Sequence, residues 1–242
     1  MVRPSAGLGS KRRVAGRPIL WPPGVTGDDL VRGRNGIGFL AGVGLSAERV
    51  GSFRGGSSRV FRLNGENGIH LRLLEIRDAE QVLDLIDGSR PYLREWLPWV
   101  DATRTVQDVQ TFIHSGLQSY VANSGRELGI WRDGRLAGVI GLHYINWTHR
   151  LTSIGYWLGE EFQARGIMTT ACRTLIDFLI GEYQLNRFEI RAATENFKSR
   201  AIPERLGFTN EGTQRQAEWL YDHFVDHVIY GMLAEEWGND RG

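Results

Sequence analysis

The chain is poor in the residues that cross-link a fold or hold a metal. It has a single cysteine, Cys172, in 242 residues, which excludes an internal disulfide and any zinc site built from several thiolates. No His, Asp and Glu grouping has metal-ligand spacing, so no metal is expected. No run of about 18 apolar residues is present to span a bilayer. With 41% hydrophobic and 24% charged residues, the composition is that of a soluble globular protein. These absences point to the cytoplasm and to no membrane partner.

The net charge of +1 is small but unevenly spread. Residues 1–60 hold ten Lys or Arg, three Asp or Glu and 13 of the 31 Gly, giving +7 against −6 for the rest. Stretches such as Gly7–Ser10, Gly33–Gly38 and Gly51–Ser58 show neither helical nor strand periodicity. Their sparse apolar content does not offset the backbone entropy lost on folding. Residues 1–66 therefore read as a basic, Gly-rich extension without fixed structure. Such a tail also suits an RNA or ribosome tether. No direct nucleic-acid binding is expected of the folded part. Ile37–Ala47 follows basic residues as a secretory leader would, but it starts late and Gly36, Gly38, Gly42 and Gly44 interrupt it, so export is not expected.

Residues 67–242 read as one α/β domain with a mixed sheet. A strand at Ile69–Leu74 precedes a helix with Asp78 as its N-cap, which Gly88 and Pro91 are expected to end. Val109, Phe112, Ile113, Leu117 and Tyr120 form the apolar stripe of a second helix. Asp133-Gly134 sits between two strand-like runs and predicts a tight hairpin; a third strand spans Leu151–Leu158. Met168, Ala171, Cys172, Leu175, Ile176 and Leu179 then mark an amphipathic helix. A strand at Arg187–Ala193, a short helix near Ser199–Leu206 and strands at Thr209–Gln216 and Phe224–Leu233 follow.

Chemistry concentrates where the strand ending at Leu158 passes through Gln163-Ala164-Arg165-Gly166 into that helix. Several backbone N–H groups and a helix N-terminus then face one point, which suits an anion. Gly166 admits close approach of a diphosphate and Arg165 adds charge at its edge. A glycine at such a turn also has a purely conformational reading. The second segment is Asn196-Phe197-Lys198-Ser199-Arg200-Ala201, followed by Leu206-Gly207-Phe208. There Asn196 is a helix cap or a ligand-binding amide, and Ser199 an N-cap or a hydroxyl donor. With Ser199 as N-cap, Pro203 has no N–H to offer the Ser199 carbonyl, which is left to accept from ligand or water.

Together these two segments resemble the GNAT acyl-CoA N-acyltransferases. Trp96-Leu97-Pro98-Trp99, Gly155-Tyr156-Trp157-Leu158, Glu218-Trp219-Leu220-Tyr221 and Val225-Asp226-His227 extend the resemblance to the RimJ/RimL ribosomal-protein N-acetyltransferase branch. It covers about residues 69–237. It implies a mostly antiparallel mixed sheet with a V-shaped split, flanked by helices, and acetyl-CoA as co-substrate. Gln163, Ala164, Arg165, Gly166, Ile167 and Met168 would take the diphosphate. Met168 departs from the family's small residue at that place, with altered helix packing the expected consequence. Trp157, Leu158, Asn196 and Ser199 would hold the pantetheine arm and thioester. The family's common tyrosine after the Asn is missing here. In this branch the serine matching Ser199 is the implied proton donor, and Glu218 the base, unless Glu218 is an ordinary surface carboxylate. Asp226 is a candidate for orienting the Glu218 segment. His223 and His227 are bases by their ordinary pKa, with a structural reading open for His227. Cys172, on an apolar stripe, reads as packing.

The expected reaction is direct acetyl transfer to an amine, foremost the N-terminal α-amine of a ribosomal or other protein. A small amine such as an aminoglycoside or polyamine is the rival acceptor, and a non-catalytic CoA-binding module the non-enzymatic alternative. Monomer and homodimer both fit.

Overall fold

The structure, a computed structural model, describes residues 61–238. Its strands are β1 (Arg62–Asn64), β2 (Ile69–Leu73), β3 (Arg126–Arg132), β4 (Arg135–Asn146), β5 (Leu151–Leu158), β6 (Arg187–Ala193), β7 (Thr209–Leu220) and β8 (His223–Leu233). Its helices are α1 (Ala79–Arg94), α2 (Val106–Val121), α3 (Ile167–Gly181) and α4 (Phe197–Arg205). The strands form one sheet in the order β1-β2-β3-β4-β5-β6-β8-β7. Among the described residues only β5 and β6 pair in parallel; the other neighbours run antiparallel. The mixed α/β sheet expected from the sequence is therefore present.

Helices cover both faces. On one, α3 buries Ala171, Cys172, Leu175, Ile176 and Leu179 against Leu71, Leu128, Ile140 and Ile154 of the sheet. On the other, Val82 and Ile86 of α1 and Val109 and Ile113 of α2 pack on Trp131, Val139 and Trp157. The helical stripes read from the sequence are these buried faces. The Asp133-Gly134 turn joins β3 to β4, both residues adopting positive φ. Thr105 caps α2 by accepting from the Asp108 N–H, and the Asp108 carboxylate accepts from the Thr105 N–H in return.

Four local expectations are corrected. First, Gly88 and Pro91 do not end α1, which continues to Arg94. Pro91 removes one intrahelical donor, but Arg90 donates to the carbonyls of Val100 and Thr103, at 2.5 and 2.9 Å, fastening this half of the helix to the loop beyond it. Second, Asp78 is the N-cap residue of α1 as expected, but its side chain makes no capping hydrogen bond. It is buried, bound by both terminal nitrogens of Arg72 at 2.7 and 2.8 Å and by the Glu75 N–H. Third, β7 runs past Gln216 to Leu220, through an irregularity between Gln214 and Glu218. Fourth, residues 61–66 belong to the fold: β1 pairs with β2, and the Phe61 ring packs edge-on against Phe178, 5.2 Å between centroids. Residues 1–60 of the expected extension lie outside the described residues.

Candidate active site

The parallel ladder between β5 and β6 stops at Ile154 and Ile190. Beyond it Gly155–Leu158 continue along β4, and Arg191–Ala193 along β8. The two strands thus separate into a fork, and their facing edges lack ladder partners. A cavity of about 400 Å³ opens here, lined by Tyr156, Trp157, Leu158, the 163–169 segment, Asn196, Lys198 and Ser199. The two segments singled out in the sequence meet in one cavity.

The loop between β5 and α3 is shaped by backbone conformation. Ala164 and Gly166 have φ of 56° and 71°, and Gly166 is the N-cap of α3. Nothing lies within 4 Å of where a Gly166 Cβ would project, so the loop presents bare backbone to the opening. No side chain caps α3 and no acid stands in its first turn. Among the described residues nothing covers its leading N–H groups, and this positive dipole end suits an anion. Ile167 and Met168 bury their side chains in the core, which leaves only their main chain facing the opening. Arg165 is exposed at the rim. The Gln163 carboxamide accepts from Lys198 Nζ at 3.2 Å, while its Nε2 is buried with no partner among the described residues. A buried amide donor so placed has a free-energy incentive to meet an acceptor. The donor set fits a diphosphate.

On the other arm, Asn196 is the N-cap of α4: its Oδ1 accepts from the Ser199 N–H at 3.1 Å. Ser199 is thus in the first turn, not the cap, which corrects that expectation. The cap position shifts because the Asn196 side chain reaches three residues on. The Ser199 carbonyl, which Pro203 leaves without an intrahelical donor, accepts from the Tyr156 hydroxyl at 3.0 Å. Burial pushes the Tyr156 phenol well above its usual pKa, so it stays a donor. Tyr156 is 43 residues from Ser199, and the sequence carries no local signal for the pair.

The opposite face of the fork is polar. Glu218 lies beyond the β7 irregularity, half-buried, with Oε2 3.3 Å from His227 Nε2. Asp226, the candidate for orienting this segment, accepts from the Gln216 N–H at 2.7 Å. His143 and Glu127 stand on the same face and were missed in the sequence, because only cross-strand register brings them there. Glu127 pairs with Gly141, which pairs with Gly155. Burial raises the Glu127 carboxyl to about 8, and its Oε2 has no hydrogen-bond partner. His223 is exposed and bonds Asp222 on the β7–β8 turn, away from this group. Cys172 is fully buried in the core, and burial pushes its thiol far up. Among the described residues no group of His, Cys, Asp or Glu is arranged to hold a metal, and no helix is long and apolar enough to cross a membrane.

A mixed sheet that forks between its one parallel pair, with an uncapped helix start at the mouth, defines a class of α/β acetyl-transferring enzyme. The chain belongs to the GNAT acetyltransferase family, whose domain matches residues 69–209. It is 38% identical over 174 residues to YdaF of Bacillus subtilis (strain 168), covering 72% of this chain and 95% of that protein, whose name assigns it provisionally to the ribosomal N-acetyltransferases. It is 26% identical over 167 residues to the ribosomal-protein-serine acetyltransferase of Escherichia coli (strain K12), covering 69% and 93%. A crystal structure of a probable acetyltransferase superposes with TM-score 0.70 at 38% identity, covering 73% of this chain and 99% of the other. The self-immunity acetyltransferase MccE, solved with acetyl-CoA and AMP, superposes with TM-score 0.67 at 30% identity, covering 69% and 93%. These matches support CoA use by the enzyme described here.

Proposed function

We propose that the protein moves the acetyl group of acetyl-CoA to the N-terminal α-amine of a protein, a ribosomal protein foremost, by direct attack in the cytoplasm. The observation that carries the donor side is the start of α3, which no side chain among the described residues caps and whose first residues line the forked cavity together with Gln163. The names of two relatives support the acceptor class.

In this reading residues 163–168 hold the diphosphate. The open edge at Trp157 and Leu158, with Asn196 and Ser199, aligns the pantetheine arm. When bound, acetyl-CoA supplies an acyl group already activated as a thioester. Glu218, steadied by His227, takes the proton that the attacking nitrogen sheds as the C–N bond forms. The Ser199 hydroxyl protonates the sulfur as the C–S bond breaks. Cys172 has no part, since no covalent enzyme intermediate is required.

Thiol release from acetyl-CoA, compared between peptides beginning with Ser, Ala or Thr and a panel of small amines, tests the proposal. Turnover on peptides is expected. Turnover on small amines alone would move the enzyme to small-molecule acetylation with its donor site intact.

A further inference from the structure

His143 occupies an irregular position. Leu142 pairs with Ile154 and Tyr144 with Ser153, leaving His143 as the extra residue of a β4 bulge. Bulges of this kind re-aim a side chain, often beside an active site. Here the bulge lays the imidazole over Gly155, where any Cβ would collide with His143 Nε2. Gly155 is the first residue past the last β5–β6 pair, so the ring stands at the base of the fork. Because successive strand residues point to opposite faces, it lies on the face away from Tyr156. Its Nδ1 is 3.4 Å from Ser153 Oγ, and the residue keeps an exposed edge while its ring packs over Gly155.

The reaction has a proton unaccounted for. A protein α-amine has an ordinary pKa of about 8 and is mostly an ammonium at neutral pH. Ammonium plus thioester gives amide, thiol and one free proton. Glu218 and Ser199 account for the proton lost by nitrogen during attack and the one gained by sulfur. The proton that turns the ammonium into a nucleophile has no assigned acceptor. We infer that His143 is a further catalytic residue: its imidazole takes this proton from the acceptor ammonium and passes it to solvent. The inference rests on the amine-acetylation reading above.

The surroundings keep the ring able to accept. Burial first, and then Arg191, lower the His143 pKa, while Glu218 and Glu189 oppose them in part. The imidazole is therefore neutral at pH 7. The ionisable groups facing this polar patch are Glu127 on β3, Glu189 and Arg191 on β6, Glu218 on β7 and His227 on β8. Arg191 is tied to Glu189 and His227 to Glu218.

The test measures kcat/KM for an acceptor peptide between pH 6 and 9.5 in wild type, in His143→Gln, and in His143→Ala with and without added imidazole. Acetyl-CoA affinity serves as the check on folding. The inference expects unchanged affinity and a loss of about 100-fold at pH 6.5. That loss shrinks above the acceptor's own pKa, where free amine is already abundant, and imidazole restores His143→Ala. A loss equal at every pH and insensitive to imidazole, or no loss, overturns the inference while leaving the acetylation reading intact. A wild-type enzyme that binds acetyl-CoA but acetylates neither peptides nor small amines overturns the acetylation reading, and this inference with it.

Discussion

The Tyr156 hydroxyl donates to the Ser199 carbonyl at 3.0 Å, joining β5 to the first turn of α4 across the fork. The bond ties the two arms of the fork, and it satisfies a carbonyl that Pro203 cannot serve. Tyr156→Phe is expected to cost about 1 kcal/mol of stability. It is also expected to lower kcat, because Ser199 is no longer fixed against β5. Calorimetric melting and steady-state kinetics read the two effects. An unchanged kcat would mean that the bond only stabilises the fold.

Glu218 stands on the face of the fork opposite the cavity, where the proposed mechanism makes it the proton acceptor. Replacing it with Gln keeps size and hydrogen bonding but removes the proton acceptor. Turnover is expected to fall about 100-fold at every pH, with acetyl-CoA affinity unchanged. An equal loss in affinity and turnover would make Glu218 structural.

Glu127 links pH to stability. Burial raises its folded-state carboxyl to about 8 from an ordinary 4.5. The folded protein therefore holds the proton more tightly than the unfolded chain. This contribution is fully present below about 4.5 and is lost as pH rises toward 8. In denaturant titrations Glu127→Gln is expected to gain on wild type by on the order of 1 kcal/mol per pH unit across that window. A pH-independent difference would contradict the burial argument.

Phe61 lies within the stretch whose composition reads as unstructured. Its ring stacks edge-on with Phe178 and lies 5.0 Å from the buried Arg126 guanidinium. Phe61→Ala is expected to destabilise by about 2 kcal/mol, less than for a fully buried ring. A melting temperature equal to wild type would show that the Phe61 ring adds nothing.

What the sequence reveals here follows the range of the interaction. The α3 stripe, the Asp133-Gly134 turn and the Gln163–Gly166 loop are local patterns, and each stands where its residues predict. Asn196 and Ser199 were recognisable as a pair, although which of them caps α4 depended on one side chain's reach. The continuation of α1 through Pro91 was hidden because Arg90 anchors it to carbonyls ten and thirteen residues ahead. β1 was hidden because three residues in a Gly-rich stretch have no periodicity of their own; pairing with β2 defines them. The placement of Glu127 and His143 depends on strand register and a bulge, which no local spacing encodes.

The central claim is that the backbone loop ending at Gly166 receives the donor's diphosphate at the start of α3. The direct measurement is calorimetric titration of acetyl-CoA into wild type, Gly166→Ala and Gly166→Glu. Both variants bear a side chain at φ 71°, a strain of order 1 kcal/mol, so Gly166→Ala reports that strain alone. The account predicts a modest weakening for Gly166→Ala and loss of detectable binding for Gly166→Glu, whose carboxylate stands where the diphosphate must sit. Equal affinity in the two variants would contradict it.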